Sequence, residues 1–306
     1  MKILIGGGTG FIGQHLVKQL VFKKGYDVKI ISRRSGPDHI TWDSLYKNGL
    51  SEYYDAIINL SGENILQPFK YRIDGEFLDK VYSSRIETNG FLSKCIENSE
   101  NPPKVWISTS AIGIYEPHRH NRYTESSETS GNCVISKLCQ DNENASKLSE
   151  NCKTRHVISR TGVVLGRNGG IVYKTWLPFF FGLGGRIGSG KQYFPWIHID
   201  DAVGILEHAI DNETIKGPLN VVAPAFDTNE DFTREFSKAM CRPALFPIPD
   251  FVMRTVFGPD FSKVVLEGQC VVPEKAIQSG YNFKYPDLKS ACQEVSRWMT
   301  FTDVSK

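Results

Sequence analysis

The chain opens Met1-Lys-Ile-Leu-Ile-Gly-Gly-Gly-Thr-Gly-Phe-Ile-Gly-Gln14, and no other stretch constrains its fold as tightly. A short apolar run, Ile3 to Ile5, gives way to glycines, and these lead into a helical pattern carrying Phe11, Ile12, Leu16, Val17 and Leu20. The order is strand, tight turn, helix. Gly7, Gly10 and Gly13 are spaced G-x-x-G-x-x-G. One glycine permits the turn, one lets the main chain approach a phosphate, and one lets helix and strand pack closely. The first amides of such a helix have no intrahelical acceptor, and its dipole favours negative charge. The turn therefore suits a pyrophosphate, and the motif predicts dinucleotide binding.

The second strand is expected at Asp27 to Ile31, and the residues at its carboxyl end bear on the choice of dinucleotide. A chain that binds NAD places a carboxylate here for the ribose 2′-hydroxyl. This one has Ser32-Arg33-Arg34-Ser35, two guanidiniums and no acid. That pair suits a 2′-phosphate through charge-assisted hydrogen bonds, which predicts NADP. Further strands are expected at Tyr54 to Gly62, Lys104 to Ser110, Arg155 to Ser159 and Gly217 to Val222, with long helices at Gly75 to Asn98 and Cys133 to Leu148. The small residues Ser61 and Gly62 leave room for a cofactor beyond a strand end, and Glu63, Asn64 and Ile65 continue that loop. The expected architecture is α/β, a doubly wound parallel-sheet Rossmann fold. Residues 1–165 would bind the nucleotide, and residues 166–306 would form a smaller, interleaved substrate region with a helical C-terminal extension.

Composition narrows the setting. The 306 residues are 40% hydrophobic and 23% charged, enough to bury a large core. A net charge of +2 makes no case for nucleic acid or membrane as a partner. No targeting segment is expected ahead of the strand that begins at Lys2, and seven scattered cysteines without C-x-x-C read as reduced thiols. No metal-ligand spacing is present. A cytoplasmic or organelle-matrix protein is expected.

Several stretches could carry chemistry. Ser108-Thr-Ser-Ala-Ile-Gly-Ile-Tyr115 ends a strand in hydroxyls, which can bond a substrate oxygen or cap nearby amides. Tyr115 would line the pocket. The aromatic, glycine-rich run from Trp176 to Trp196 reads as a mobile pocket wall. Within it Gly185 to Lys191 matches G-x-x-x-x-G-K by count, but Gln192 replaces the required Ser or Thr and no strand precedes it, so an ATP site is rejected. In Trp196-Ile-His-Ile-Asp-Asp201 a carboxylate should cap a helix and His198 reads as structural. Thr228-Asn-Glu-Asp231 has the form of a capping box. Short helices at Pro249 to Phe257, Lys263 to Glu267 and Pro273 to Ser279, then an amphipathic helix from Leu288 to Met299, should finish the chain.

Taken together, the glycine motif, the Ser-Thr-Ser-Ala strand end and Trp196-Ile-His-Ile-Asp-Asp resemble an atypical short-chain dehydrogenase/reductase of the epimerase class. Asn59-Leu-Ser-Gly-Glu-Asn64, Arg160-Thr-Gly-Val-Val-Leu-Gly166, Phe194-Pro-Trp-Ile-His198 and Leu266-Glu-Gly-Gln…Val272-Pro narrow the resemblance to its 39U branch, over essentially the whole chain. The resemblance implies that Thr9, Gly10, Phe11 and Ile12 meet the pyrophosphate and that Ser32 and Arg33 meet the 2′-phosphate. It also implies that Leu60 and Ser61 hold the cofactor across the sheet, with Arg85 and Val163 beside it. Members of the superfamily pair a strand-end Ser or Thr with Tyr-x-x-x-Lys. Lys137 matches the lysine, which fixes the ribose, but Cys133 stands where the tyrosine belongs. A thiol is a weak hydrogen-bond donor of shorter reach. Thr109 or Ser110 would then hold the substrate oxygen, and Tyr115 or water would handle the proton.

Three functions fit these residues: an NADP(H)-dependent oxidoreductase or epimerase-like enzyme, an NADP(H)-binding protein of little turnover that serves as a redox-responsive partner or scaffold, and a sugar-nucleotide epimerase. The last needs NAD retained through its cycle, against which the arginine pair argues. The superfamily resemblance also admits a homodimer.

Overall fold

The computed structural model describes residues 1–63, 75–118, 120–129 and 131–297. Asn64 and Ile65, expected in a loop, and Met299, expected in the final helix, lie outside them. Eleven strands occur among the described residues: β1 Lys2–Gly6, β2 Asp27–Ser32, β3 His39–Thr41, β4 Ala56–Asn59, β5 Val105–Ala111, β6 Arg122–Tyr123, β7 Arg155–Thr161, β8 Val163–Gly166, β9 Trp196–His198, β10 Gly217–Val221 and β11 Cys270–Val271. Seven form one sheet in the order β10-β7-β5-β4-β1-β2-β3. The pairings β1–β2, β1–β4, β2–β3 and β4–β5 are parallel. From β1 the chain winds outward through β2 and β3 on one side and through β4 and β5 on the other, so the order reverses between β1 and β4. In a doubly wound sheet that reversal opens the ligand crevice beyond the strand ends.

Register then decides which residues share that edge. Gly6 lies opposite Ile31 on one side and Asn59 on the other, and Asn59 lies opposite Ser108. Gly7, Ser32, Leu60–Gly62 and Thr109–Ser110 all come next at the same edge. Two departures from expectation appear here. The strand expected over 54–62 is ordered as sheet only at Ala56–Asn59, because its last residues turn outward as loop. The short edge strand β3 was not anticipated; three residues carry too little periodicity to read.

Two compact units are present. The first comprises Met1–Ala111, Lys137–Arg160 and Val203–Leu219, the second Ile112–Ser136, Thr161–Ala202 and Asn220–Lys306. In the first, Leu4, Ile31, Leu45, Ile57, Leu92 and Trp106 make an apolar core. Its helices are α1 Phe11–Lys24, α2 Trp42–Asn48, α3 Gly75–Glu97, most of α4 Val134–Ala145 and most of the helix that closes it, Ile199–Asp211. Between α4 and the sheet runs a buried polar layer. Arg160 meets Glu143 in a two-pronged pair, both bonds 2.9 Å, with side chains 6% and 9% exposed. His156 Nε2 and Ser108 Oγ lie 2.9 Å apart. Burial pushes the His156 imidazole down to about 4. The unfolded chain therefore takes up a proton from about pH 6.5 downward and the folded one only near 4. Stability should fall across that window by up to about 3 kcal/mol, and His156→Gln should flatten it. Urea unfolding from pH 7 to 4 checks this; parallel pH profiles for the two proteins would refute it.

In the second unit, Trp196, Phe179, Phe232, Phe236, Leu288 and Val295 form the core. The stretch expected as a mobile wall starts as helix, α5 Gly170–Phe180, and its remainder is held by backbone bonds from Phe246 to Gly184 and from Ile248 to Arg186. The aspartates expected to cap the helix Ile199–Asp211 (α6) lie inside its first turn. His198 Nδ1 accepts the Asp200 amide at 3.1 Å and His198 Nε2 faces Glu294 at 3.0 Å, which places the ring proton on Nε2. The Asp201 carboxylate, wholly buried, instead accepts from Lys284 N, Tyr285 N and the Tyr281 hydroxyl. His198 is buried and hydrogen-bonded at both ring nitrogens. Thr228 and Asp231 do form the capping box of helix α7, Asn229–Ala239. Helix α8, Asp250–Glu267, breaks at Gly258, where φ is 75° and ψ 168°, and so divides where two helices were expected. A five-residue helix (α9, Glu274–Gln278) and a closing one (α10, Leu288–Ser296) complete the described chain. Among the described residues no helix is long and apolar enough to cross a membrane.

Candidate functional site

The opening loop is built as its glycines require. Gly7 has φ +71°, and a Cβ there would sit 2.7 Å from the Leu60 main chain. At Gly13 a Cβ would lie 2.2 Å from Gly7 O and 2.7 Å from Gly8 Cα. At Gly10 it would meet only Gly7 O, at 3.2 Å. Turn and packing thus explain Gly7 and Gly13 from within the chain, while Gly10 leaves open space over the N-terminus of α1. Gly10 is the N-cap of that helix and no side chain caps it. The amides of Phe11, Ile12 and Gly13 precede the first intrahelical bond, which runs from Gln14 N to Gly10 O. Uncapped amides beside an uncovered glycine suit an anion.

Past β2, Ser32 Oγ accepts the Arg34 amide at 3.1 Å and so shapes the turn. Arg33 and Arg34 are exposed, and among the described residues neither meets a carboxylate. The one acid of this loop, Asp38, is held by Lys29 at 2.7 Å. The loop therefore presents two uncompensated guanidiniums where an NAD site would present an acid.

The segment after β4 completes the edge. The Ser61 hydroxyl is buried and, among the described residues, has no hydrogen-bond partner. A buried hydroxyl left unpaired costs free energy unless something else satisfies it. Gly62 lies under Arg85, whose guanidinium carbon would be 3.0 Å from a Cβ there. Arg85 donates to Glu63 O at 2.7 Å and to Val81 O at 3.2 Å, with no carboxylate in ion-pair distance among the described residues. Burial lowers the guanidinium's affinity for its proton. An anion arriving at this edge would offset that penalty.

At the end of β5 the two hydroxyls differ. Thr109 Oγ1 donates to Asn59 O, so its proton is committed. Ser110 Oγ is buried, without an oxygen or nitrogen partner among the described residues, and is set against the buried Cys139 thiol, a weak hydrogen-bonding partner that burial raises to about 12. Lys137 is exposed on α4. Within the second unit, Cys133 accepts the Ser136 amide on Sγ at 3.4 Å, while Ser136 Oγ accepts the Cys133 amide at 3.0 Å. The residue in the tyrosine's place is a helix cap. Tyr115 is fully buried, stacked on Tyr123, with its hydroxyl facing Thr124 O at 3.0 Å and Asn220 Oδ1 at 2.8 Å. One phenolic proton between two acceptors leaves none to give a substrate. Val163 begins β8, with its amide on Pro195 O at 2.9 Å.

The register and these bonds bring together the glycine loop, Ser32, Leu60–Gly62, Arg85 and Thr109–Ser110. Sequence reasoning overlooked three asparagines behind them, Asn59, Asn89 and Asn142. The available signal was an amide, Asn89, on the helical face that also carries Phe77, Val81, Leu92 and Ile96.

Comparison with known proteins bears on the family and the fold. Residues 3–222 match the model of the NAD dependent epimerase/dehydratase family, and residues 248–295 match a second, "Domain of unknown function (DUF1731)". The epimerase family protein SDR39U1 of Bos taurus is 45% identical over 296 residues, covering 96% of this chain and 99% of that one. Epimerase family protein YfhF of Bacillus subtilis is 33% identical, with 96% and 98% covered. The crystal structure of human SDR39U1 with NADPH superposes with a TM-score of 0.93 at 43% identity, over 97% of this chain and 99% of that one. A UDP-N-acetylglucosamine 4-epimerase from Bacillus cereus, TM-score 0.75 at 18% identity over 98% of this chain and 99% of that one, shares the fold.

Proposed function

The chain belongs to the NAD dependent epimerase/dehydratase family, and from that premise we propose that it binds NADP(H) and acts as an oxidoreductase or epimerase-like enzyme of the short-chain dehydrogenase/reductase superfamily. The observation that carries the cofactor assignment is the pair Arg33 and Arg34, exposed and without carboxylates at the end of β2. The NADPH in the human relative's crystal structure supports the same choice. Thr9 to Gly13 would hold the pyrophosphate on main-chain amides, Ser32 with Arg33 and Arg34 the 2′-phosphate, and Leu60–Gly62, Arg85 and Val163 the remainder. When bound, the nicotinamide supplies or accepts hydride.

The chain's own part is positioning. Ser110, whose hydroxyl meets nothing stronger than the Cys139 thiol among the described residues, would donate to the substrate oxygen, and Lys137 would hold the ribose. The inward hydroxyl of Tyr115 and the capping role of Cys133 leave the substrate proton to water. Residues 1–165 would serve the cofactor and residues 166–306 the substrate. A second reading has a specific observation behind it. With no tyrosine at the usual place, binding with little turnover, as a redox-responsive partner or scaffold, fits the same site.

Fluorescence titration should show NADPH binding more tightly than NADH, and Arg33→Ala should narrow that preference by about tenfold or more, the scale of one charge-assisted pair. Equal affinities in the parent protein would refute the assignment of NADP. Oxidation of bound NADPH by any member of a carbonyl panel separates the enzyme from the binding protein.

A further inference from the structure

Behind the ligand edge, four residues from four elements of the first unit close a ring of hydrogen bonds. Thr109 Oγ1 on β5 donates to Asn59 O at the end of β4. Asn59 Nδ2 donates to Asn89 Oδ1 on α3 at 2.7 Å, and Asn89 Nδ2 to Asn142 Oδ1 on α4 at 2.7 Å. Asn142 Nδ2 returns to Thr109 O at 2.8 Å, where the circuit began. The three asparagines are 1–3% exposed. Every amide donates in the same sense around the ring, so no member can be rotated without leaving a buried donor unpaired, which costs about 1–3 kcal/mol. Buried polar networks that are fully satisfied hold one arrangement against its neighbours.

Each member also stands beside a residue of the site. Asn59 precedes Leu60 and Ser61, and its Oδ1 accepts the Ser61 amide at 3.1 Å. The same oxygen would lie 2.4 Å from a Cβ on Gly6, which ties it to the glycine loop. Asn89 is one helical turn from Arg85, Thr109 precedes Ser110, and Asn142 comes after Lys137 on the same helix. The β4–β5 pairing ends at Asn59 and Ser108. Beyond that point the ring joins the two strand ends to each other and to both helices.

We propose that Asn89 and Asn142 are positioning residues for the nicotinamide half of the cofactor site. They touch neither cofactor nor substrate; they hold Ser61, Ser110, Arg85 and Lys137 at fixed mutual distance. The proposal rests on the reading that NADP(H) lies across this edge. It concerns the nicotinamide half alone, because the ring has no member near Ser32, Arg33 or Arg34 in the chain. Adenosine recognition should be indifferent to it.

The experiment uses the full chain and two probes: 2′,5′-ADP, which reports the adenosine half, and NADPH, whose nicotinamide emission reports the other. Asn142→Leu and Asn89→Leu should leave the affinity for 2′,5′-ADP within about twofold. They should weaken NADPH about tenfold or more, the scale set by a small misplacement of a remote positioning group. They should also lose the emission change that accompanies binding in the parent. Asn142→Ser and Asn89→Ser carry the same test if the leucine variants do not fold. Thr109→Ser, which keeps the ring hydroxyl, should restore parental binding where Thr109→Val does not. Folded ring variants with parental NADPH affinity and emission would overturn the proposal, as would equal weakening of both probes. A parent protein that binds 2′,5′-ADP but shows no nicotinamide emission change would overturn the underlying reading of the site, and the proposal with it.

Discussion

Gly13→Ala should abolish measurable NADPH binding, weakening it by about a hundredfold or more, and should also lower the melting temperature. The added Cβ would lie 2.2 Å from Gly7 O and 2.7 Å from Gly8 Cα. Both are main-chain atoms, so relief requires moving the loop away from α1 rather than rotating a side chain. That displaces the amides the pyrophosphate would use. Gly10→Ala is the matching control, because its Cβ would meet only Gly7 O at 3.2 Å. It should melt near the parent and still bind NADPH more weakly, since the space it fills is where a ligand would approach. Differential scanning fluorimetry and fluorescence titration on the two variants decide the matter. Parental NADPH affinity in Gly13→Ala would remove the loop from the site.

Arg160→Met should destabilise the protein by about 3–5 kcal/mol, enough to unfold much of the population near physiological temperature. The guanidinium meets Glu143 with two bonds of 2.9 Å, and both side chains are under 10% exposed. Removing it strands a carboxylate where water does not reach. Because the desolvation of two charges offsets most of what their attraction returns, Glu143→Leu with Arg160→Met should recover most of the loss. Urea denaturation of the two variants measures this. A single variant that loses less than about 1 kcal/mol would show that the pair is solvated in solution.

Much of the site was legible before any coordinates. The glycine spacing, the two arginines after the second strand and the hydroxyls ending Lys104–Ser110 are local features, set by steric demand or charge within a few residues. The structure places each where local reasoning puts it: Gly7 at positive φ, Gly13 against the main chain, the arginines exposed and unmatched by carboxylates. Local reasoning went astray where one residue had two readings and only a distant partner chose between them. An aspartate at a helix start reads as a cap, yet Asp201 is drawn away by three donors from Tyr281–Tyr285, and His198 takes the capping place. Cys133 reads as a failed tyrosine until Ser136 shows it capping α4.

The amino-acid order was enough for the fold class and for the glycine-lined, uncapped start of α1, because strand, turn and helix are decided by periodicity and by what a Cβ would strike nearby. The difference between Thr109 and Ser110 was not, since adjacent hydroxyls of the same chemistry part company only when Asn59, fifty residues away from Thr109, accepts one proton and the other hydroxyl is left against the weakly bonding Cys139 thiol. Nor was the ring through Asn89 and Asn142, whose bonds span 30 to 53 residues. Long-range hydrogen bonds carry no signature in a local window. They exist because the folded sheet and its helices bring those amides together in a place without water.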